Sequence, residues 1–178
     1  KIIIEDTLNQ PIDEKDDSDF FCGLYVDGTS KLTFEEANPA FHGFYAQSQY
    51  NYPVFLFVSL LNDQDEINKI VEKYPRTIVN QIEPLTNAIE YNYWMFNNCF
   101  RLINYKHQNI LSYQSDGWPI RKGWEQYVLD NDFSFIGAPW DKFAQLISDK
   151  YRFPELKIAN GGVAFRKLNA MLNCIDFA

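Results

Sequence analysis

The stretch VFLFVSLL, residues 54–61, is almost entirely apolar and directly follows Pro53. A continuous apolar run of this length is typical of an internal parallel strand that is covered on both faces. Parallel strands are joined by crossover connections, which are usually helices. The stretch therefore predicts an α/β fold, with the strand ending at Asn62 and Asp63.

The segments on either side of this strand alternate between strand and helix periodicities. Further strands are predicted at residues 1–7, 76–81, 109–115, 133–136 and 163–165. Helices are predicted at 65–73, 87–105 and 123–129, together with a helix at 31–50 that Pro39 and Gly43 break. The longest helix is predicted from the helical spacing of five residues: Ile89, Tyr93, Phe96, Phe100 and Ile103. For the aromatic residues Tyr91, Tyr93 and Trp94 at its start, the spacing favours core packing. We expect one domain over residues 1–178, with a mainly parallel central sheet flanked by helices.

Composition limits the classes of partner. The formal net charge is -8 and the pI is near 4.7, which argues against a protein that binds nucleic acid through a positive face. An anionic nucleotide would need local help from a divalent cation, placed cationic side chains or backbone amides. The many aromatic residues, 15 Phe, 11 Tyr and 4 Trp, suit both a sugar-binding cleft and a packed core.

The cysteines and the hydropathy pattern bear on location. Cys22, Cys99 and Cys174 are widely spaced, which favours reduced thiols over a disulfide framework, so we expect a cytoplasmic protein. No apolar run reaches the roughly 20 residues that span a bilayer, and the first segment lacks the pattern of a signal peptide. A transmembrane segment is not expected, whereas peripheral contact with a membrane stays open. His42 and His107 lack the spacing of a zinc site.

One strand leads directly into a candidate ligand site. Residues 109–115, NILSYQS, are followed by Asp116 and Gly117. Ligands of open α/β sheets gather at the carboxyl ends of the strands. A carboxylate there, next to a glycine that allows close backbone approach, suits Mg²⁺ or Mn²⁺ held against phosphate oxygens. Asp-Gly is also an ordinary turn signal, so this pattern alone does not decide between a ligand and a turn.

Three segments in a fixed order add a family resemblance. They are QSDG at residues 114–117, FSFIGAPW at 133–140 and NGGVAFR at 160–166, with Trp124 between the first two. Over roughly residues 91–166 the chain resembles a family of GT-A-like glycosyltransferases that is catalogued as a domain of unknown function. Members typically show Gln-x-Asp after a strand, then Ile-Gly-Ala-Pro-Trp, then Asn-Gly-Gly-Phe-Ser-Leu-Arg. The first third of the chain shows little resemblance.

The resemblance implies a GT-A-like, Rossmann-like fold and a metal-dependent, inverting transfer of a sugar. The donor would be a nucleotide sugar, the cofactor Mn²⁺ or Mg²⁺, and the acceptor a glycan, a lipid-linked sugar or a protein. Asp116 would bind the metal, and Gln114 and Gly117 would bind the donor with it. The substrate-binding residues would be Trp140, Asn160, Gly161, Gly162 and Arg166.

Each of these roles has a structural alternative. Gln114 at a strand end can bond the backbone. Trp140 can be a core anchor instead of a stacking platform for sugar. Gly161 and Gly162 form a turn that approaches the ligand, or else a β-bulge or tight turn with no ligand. Arg166 either contacts phosphate through its fork or makes a surface salt bridge.

The chain departs from the family pattern in two ways. Val163, Ala164 and Phe165 replace Phe-Ser-Leu, which loses a hydroxyl group. Related sequences also carry an acidic Glu-Asp pair well after Asn-Gly-Gly, and Asp176 is too close to that motif to fill the place. The general base is therefore unassigned and is expected beyond Ala178. A non-catalytic glycan-binding or scaffolding domain remains the alternative function, whereas a Rossmann oxidoreductase lacks its Gly-x-Gly-x-x-Gly motif.

Overall fold

Six strands form one mixed sheet that carries helices on both faces. The computed structural model describes residues 20–103, 106–139 and 159–176. The elements, in chain order, are β1 (Phe21–Asp27), α1 (Phe34–Gln47), β2 (Val54–Ser59), α2 (Gln64–Lys73), β3 (Thr77–Ile82), α3 (Ala88–Trp94), a π-helical turn (Met95–Cys99), α4 (Phe100–Leu102), β4 (Asn109–Ser112), α5 (Trp124–Asn131), β5 (Phe135–Pro139), β6 (Ala159–Lys167) and α6 (Leu168–Asp176).

The strands lie in the order β3-β2-β1-β4-β6-β5. β1 pairs in parallel with β2 and with β4, and β2 pairs in parallel with β3. β6 runs antiparallel to both β4 and β5. The α/β class with a mainly parallel central sheet is thus confirmed.

Alternate residues of β1, β2 and β4 are buried on opposite faces of the sheet, as the period of two requires. All six residues of β2 are buried. On one face Val54 and Leu56 pack with Phe41 and Phe44 of α1. On the other face Phe57 packs with residues of the π-helical turn. Helices on both faces explain why the sequence of β2 is apolar without interruption.

Strand β1 was not predicted from the sequence. Its seven residues, FCGLYVD, include Gly23, and a glycine weakens the apolar signal of a strand. The glycine is needed because a Cβ at this position would lie 2.8 Å from Cγ2 of Val54. The predicted strand at residues 1–7 lies outside the described residues.

The core packing expected for Tyr93 was wrong, and two other residues at helical spacing in the longest predicted helix are exposed as well. The side chains of Ile89 and Tyr93 are 81% and 69% exposed, and Phe96 is also exposed. The helix is interrupted by the π-helical turn, in which Met95 and Cys99 are buried instead. A π turn contains an extra residue, so it rotates the following residues relative to an ideal helix. One regular helical spacing therefore does not describe both sides of the turn: Phe100 and Ile103 after it are buried, whereas Ile89 and Tyr93 before it are exposed.

Two further predictions are corrected. The helix expected to break at Pro39 runs without interruption through α1. An interior proline costs about 3 kcal/mol, whereas each buried Phe contributes about 1.5–3 kcal/mol, and both Phe41 and Phe44 are fully buried. The expected turn at Gly161 and Gly162 lies inside β6, where the pairing with β5 shifts register after Gly137.

Candidate functional site

A cleft of about 490 Å³ opens at the carboxyl ends of the parallel strands. Its walls are residues 25–29 at the carboxyl end of β1, residues 85–88 after β3 with Tyr91 on α3, and residues 114–116 after β4. From β1 the chain builds β2 and β3 on one side and then returns to place β4 on the other. The order of strands therefore reverses between β1 and β4, which is where open α/β sheets bind ligands.

Residues 114–117 form a closed turn at the end of β4, which we name the 114–117 turn. Gln114 N–H donates to the Gly117 carbonyl at 3.0 Å, and Gly117 N–H donates back to the Gln114 carbonyl at 3.1 Å. These reciprocal bonds hold Ser115 and the exposed Asp116 at the tip. A Cβ on Gly117 would lie 2.7 Å from Cγ2 of Val163, so the turn packs closely against β6.

Asp27 supplies a second carboxylate to the cleft. Its Oδ1 accepts hydrogen bonds from the backbone N–H of Thr29 at 2.9 Å and from the Thr29 hydroxyl at 2.6 Å, so Oδ2 takes no part in this turn. Gly28 packs directly on Leu85, whose N–H donates to its carbonyl at 2.8 Å. Asp27 was not predicted as a site residue, although Asp27 and Gly28 at the end of β1 repeat the Asp-Gly pair that follows β4.

Tyr25 packs beside the 114–117 turn. Its side chain is buried, and its ring centroid lies 5.6 Å from that of Tyr113, the residue before the turn. Burial raises the pKa of this hydroxyl far above its ordinary range, and the negative charge of Asp27 raises it further. Tyr25 is therefore a neutral phenol at physiological pH.

Tyr91 lines the opposite wall, where the sequence had predicted only core packing. Tyr91 lines the cleft together with Gln114 of the 114–117 turn. Burial raises the pKa of the Tyr91 hydroxyl, while the positive charge of Arg166 opposes this rise. Helical spacing cannot separate a residue at the rim of a cleft from one in the core, which is why this role was missed.

Arg166 is not a surface residue, so it does not make the surface salt bridge that was the structural alternative. It is half-buried on β6, and its Nη1 donates to the Ser112 hydroxyl at the end of β4. Its guanidinium carbon lies 5.3 Å from the ring centroid of Phe135 and 6.0 Å from that of Phe100. Arg166 does not belong to the described lining of the cleft.

The structure thus brings Gln114 and Asp116 together in one cleft and places Gly117 at the base of the same turn. Asn160 pairs with Ala138 in the β5–β6 ladder, and Gly161 and Gly162 follow it in β6. Trp140 lies outside the described residues.

The carboxylates fit a hard divalent cation that is shared with a ligand. Among the described residues there is no cluster of three or more His, Cys, Asp or Glu side chains that would form an all-protein cage. Mg²⁺ is usually held by one or two carboxylates plus substrate phosphates and water. The exposed Asp116, with Asp27 across the same cleft, matches that pattern.

The chain belongs to the family described as "Protein of unknown function (DUF5672)", whose model matches residues 75–178, more than half of the chain. No curated protein matches it significantly in sequence. Within the described residues, no helix combines the length and apolarity that crossing a membrane requires.

Solved glycosyltransferases share the fold. Mouse xyloside xylosyltransferase 1, in its apo form, is 10% identical with a TM-score of 0.56, over 90% of this chain and 71% of that one. The mannosyltransferase Ktr4p from S. cerevisiae is 10% identical with a TM-score of 0.58, over 94% and 64%. The mannosyltransferase PcManGT from Pyrobaculum calidifontis, in complex with GDP-Man and Mn²⁺, is 14% identical with a TM-score of 0.53, over 92% and 50%.

The chain therefore spans less than two thirds of the length of both mannosyltransferases. At these identities the likeness concerns the fold alone, and it confirms the expected GT-A-like architecture.

Proposed function

We propose that this domain binds a nucleotide-sugar donor and belongs to a metal-dependent glycosyltransferase. The observation that carries the proposal is the position of Asp116, at the tip of a closed turn in the cleft where the strand order reverses. A carboxylate held in this way can bind a cation without a large rearrangement. The glycosyltransferase fold of the neighbours supports the same function.

Mn²⁺ or Mg²⁺ is the proposed cofactor, with Asp116 as its protein ligand. The donor diphosphate and water would complete the coordination. When bound, the cation would stabilise the negative charge that develops on the leaving diphosphate. PcManGT was solved with GDP-Man and Mn²⁺, which supports this pairing of donor and metal. Gln114 and Gly117 would shape the donor side of the cleft.

The proposed reaction transfers the sugar to a hydroxyl of a glycan, a lipid-linked sugar or a protein. The acceptor oxygen forms a bond to the anomeric carbon, the bond from that carbon to the diphosphate breaks, and the diphosphate leaves with the electron pair. In an inverting reaction a carboxylate takes the acceptor proton. Trp140, Asn160, Gly161 and Gly162 are proposed to face the substrates, and the general base stays unassigned.

The first test is ligand-dependent thermal stability. UDP, GDP, CDP and dTDP are each added with Mn²⁺ or Mg²⁺, and at least one pair should raise the melting temperature, since a ligand that binds only the folded state stabilises it. EDTA should abolish the gain. If no pair gives a shift at millimolar concentrations, the donor-site proposal is wrong. Stabilisation by oligosaccharides alone would identify the glycan-binding alternative.

The second test replaces Asp116 by Asn, which preserves volume but holds a divalent cation poorly. We expect the metal-dependent stabilisation to disappear, and turnover of the full-length enzyme to fall by about 10²-fold to 10³-fold. The melting temperature without ligand should hardly change, because Asp116 is exposed. Asp130→Asn, an exposed carboxylate on α5, is the matched control. Retention of metal-dependent binding by Asp116→Asn would show that Asp116 is only a turn residue.

A further inference from the structure

Two of the loops that line the cleft pack directly on one another. Gly28 belongs to the loop after β1 and Leu85 to the loop after β3, and both residues line the cleft. The Leu85 N–H donates to the Gly28 carbonyl at 2.8 Å. A Cβ built on Gly28 would lie 2.6 Å from each of Cβ, Cγ and Cδ1 of Leu85. The two loops therefore approach this closely because residue 28 has no side chain.

Rotation of the Leu85 side chain cannot make room for a side chain at position 28. Carbon atoms in contact lie about 3.5–4.0 Å apart, so the new Cβ would be roughly 1 Å too close. Rotation about χ1 moves Cγ and Cδ1 of Leu85, but its Cβ is fixed to the backbone. The added methyl group therefore pushes one loop away from the other. The Gly28 backbone itself is no obstacle, because Gly123 is the one glycine with positive φ in the described part of the chain.

Each loop is also held by hydrogen bonds of its own, so a displacement would move several lining residues together. In the loop after β1, Asp27 Oδ1 accepts from the N–H and the hydroxyl of Thr29. In the loop after β3, Glu90 Oε2 accepts from the N–H of Thr86 at 2.7 Å and from its hydroxyl at 2.8 Å. Asn87 Oδ1 caps the first turn of α3 through two backbone N–H groups, each at 3.0 Å. Residues 85–88 therefore move with the start of α3.

We propose that Gly28 is a positioning residue that sets the spacing between the loops after β1 and β3, and with it the shape of the cleft that receives the donor. Gly28 acts through Leu85, because a side chain at position 28 displaces residues 85–88. A site that is already in its binding conformation binds more tightly than one that must rearrange. This inference rests on the proposed function, since it takes the ligand of the cleft to be a nucleoside diphosphate with its cation.

The test compares Gly28→Ala with Gly23→Ala. A Cβ on Gly23 would lie 2.8 Å from Cγ2 of Val54, but Gly23 lies inside β1 and is not among the described lining residues of the cleft. Both variants should melt earlier without ligand, because both overpack a close contact. Affinity is measured by calorimetry, below the melting transition, for whichever of UDP, GDP, CDP and dTDP stabilises the wild type most in Mn²⁺. Gly28→Ala should weaken binding by about tenfold or more, since a misplacement of about 1 Å in a site is costly, whereas Gly23→Ala should bind like the wild type.

A double-mutant cycle moves the glycine from one loop to the other. In Gly28→Ala/Leu85→Gly, residue 85 lacks the three carbon atoms that the new methyl group would meet. Gly28→Ala should therefore cost little affinity in the Leu85→Gly background, although it weakens binding in the wild-type background. Leu85→Gly alone measures the loss of the leucine side chain, which packs against the core. A glycine that served only folding would change the melting temperature and leave the affinity of the folded protein unchanged.

The outcomes separate the inference from the function on which it rests. If the wild type binds a nucleoside diphosphate and Gly28→Ala binds it equally well, the inference is overturned and the proposed function stands. Equal losses of affinity from Gly28→Ala with Leu85 and with Gly at position 85 would also overturn it, because Leu85 would not be the obstacle. If the wild type binds none of the four nucleotides in Mn²⁺, the proposed function fails and the inference fails with it.

Discussion

Glu125, on α5, is a buried carboxylate that does not line the cleft. Its side chain is 2% exposed, and its Oε1 accepts a hydrogen bond from the backbone N–H of Gln49 at 2.5 Å. Oε2 has no hydrogen-bond partner among the described residues. Burial raises the pKa of Glu125 above its ordinary value of 4.5. The charged form is therefore disfavoured in the folded state.

This raised pKa predicts a pH dependence of stability. The folded protein binds the Glu125 proton more tightly than the unfolded chain, so stability falls as pH rises from about 4.5 through the folded-state pKa. Glu125→Gln cannot lose a proton and lacks this fall. The melting temperature of Glu125→Gln relative to wild type should therefore rise between pH 4.5 and pH 8. Glu72→Gln, an exposed residue on α2, should show no such trend. A difference that stays constant with pH would contradict the buried-charge interpretation.

The candidate site was partly predictable from single residues. Asp116 and Gln114 could be placed because they follow an apolar strand directly. Asp27 is the last residue of β1, but Gly23 weakened the apolar pattern from which that strand could have been predicted. The role of Tyr91 depends on where a helix begins relative to the ends of β1 and β4. Such a relation is set by tertiary packing, so no local pattern reveals it.

Trp118, the residue directly after the 114–117 turn, packs against α1. A Cβ built on Gly43 would lie 2.0 Å from Cδ1 of Trp118, so the indole packs directly on the helix backbone. Trp118 also packs against the core on that face. The contact therefore fixes the chain just beyond Asp116 to a rigid helix.

Gly43→Ala should lower the free energy of unfolding by about 1–3 kcal/mol, since it forces an overpacked contact. In a Trp118→Ala background the same substitution should have the opposite sign, because only the helix preference of alanine over glycine remains, about 0.5–1 kcal/mol. Urea unfolding of the four proteins measures both effects. The same destabilisation in both backgrounds would mean that the indole is not the obstacle.

Elements with a strong apolar pattern were predicted well, and elements shaped by their neighbours were not. The sequence predicted β2, β3 and α2 to within one or two residues. A strand that is buried on both faces leaves an uninterrupted apolar run, and a helix that is buried on one face leaves apolar residues at helical spacing. The continuity of α1 through Pro39 and the π-helical turn both depend on packing against the sheet. Helix propensity alone would predict a break at Pro39 and would not predict a π-helical turn.

At the scale of the whole molecule, the strand order explains why distant segments share one site. Residues 25–29, 85–88 and 114–116 are far apart in sequence, yet each lies at the carboxyl end of a parallel strand of one sheet. All parallel strands end at the same edge, so these segments meet there. The opposite edge carries the segments that precede β2 and β3, residues 49–53 and 74–76.

This arrangement predicts the pattern of amide hydrogen exchange on ligand binding. With Mn²⁺ and a nucleoside diphosphate, peptides that cover residues 25–29, 85–91 and 114–116 should all become more protected, because one ligand stabilises three loops whose local opening permits exchange. Peptides over residues 49–53 and 74–76 provide the internal control and should change little, since they lie at the other edge of the sheet. In Asp116→Asn the protection should be lost from all three segments together, because the cation joins them through the ligand. Protection confined to one segment, or appearing mainly at the opposite edge, would show that the cleft where the strand order reverses is not the donor site.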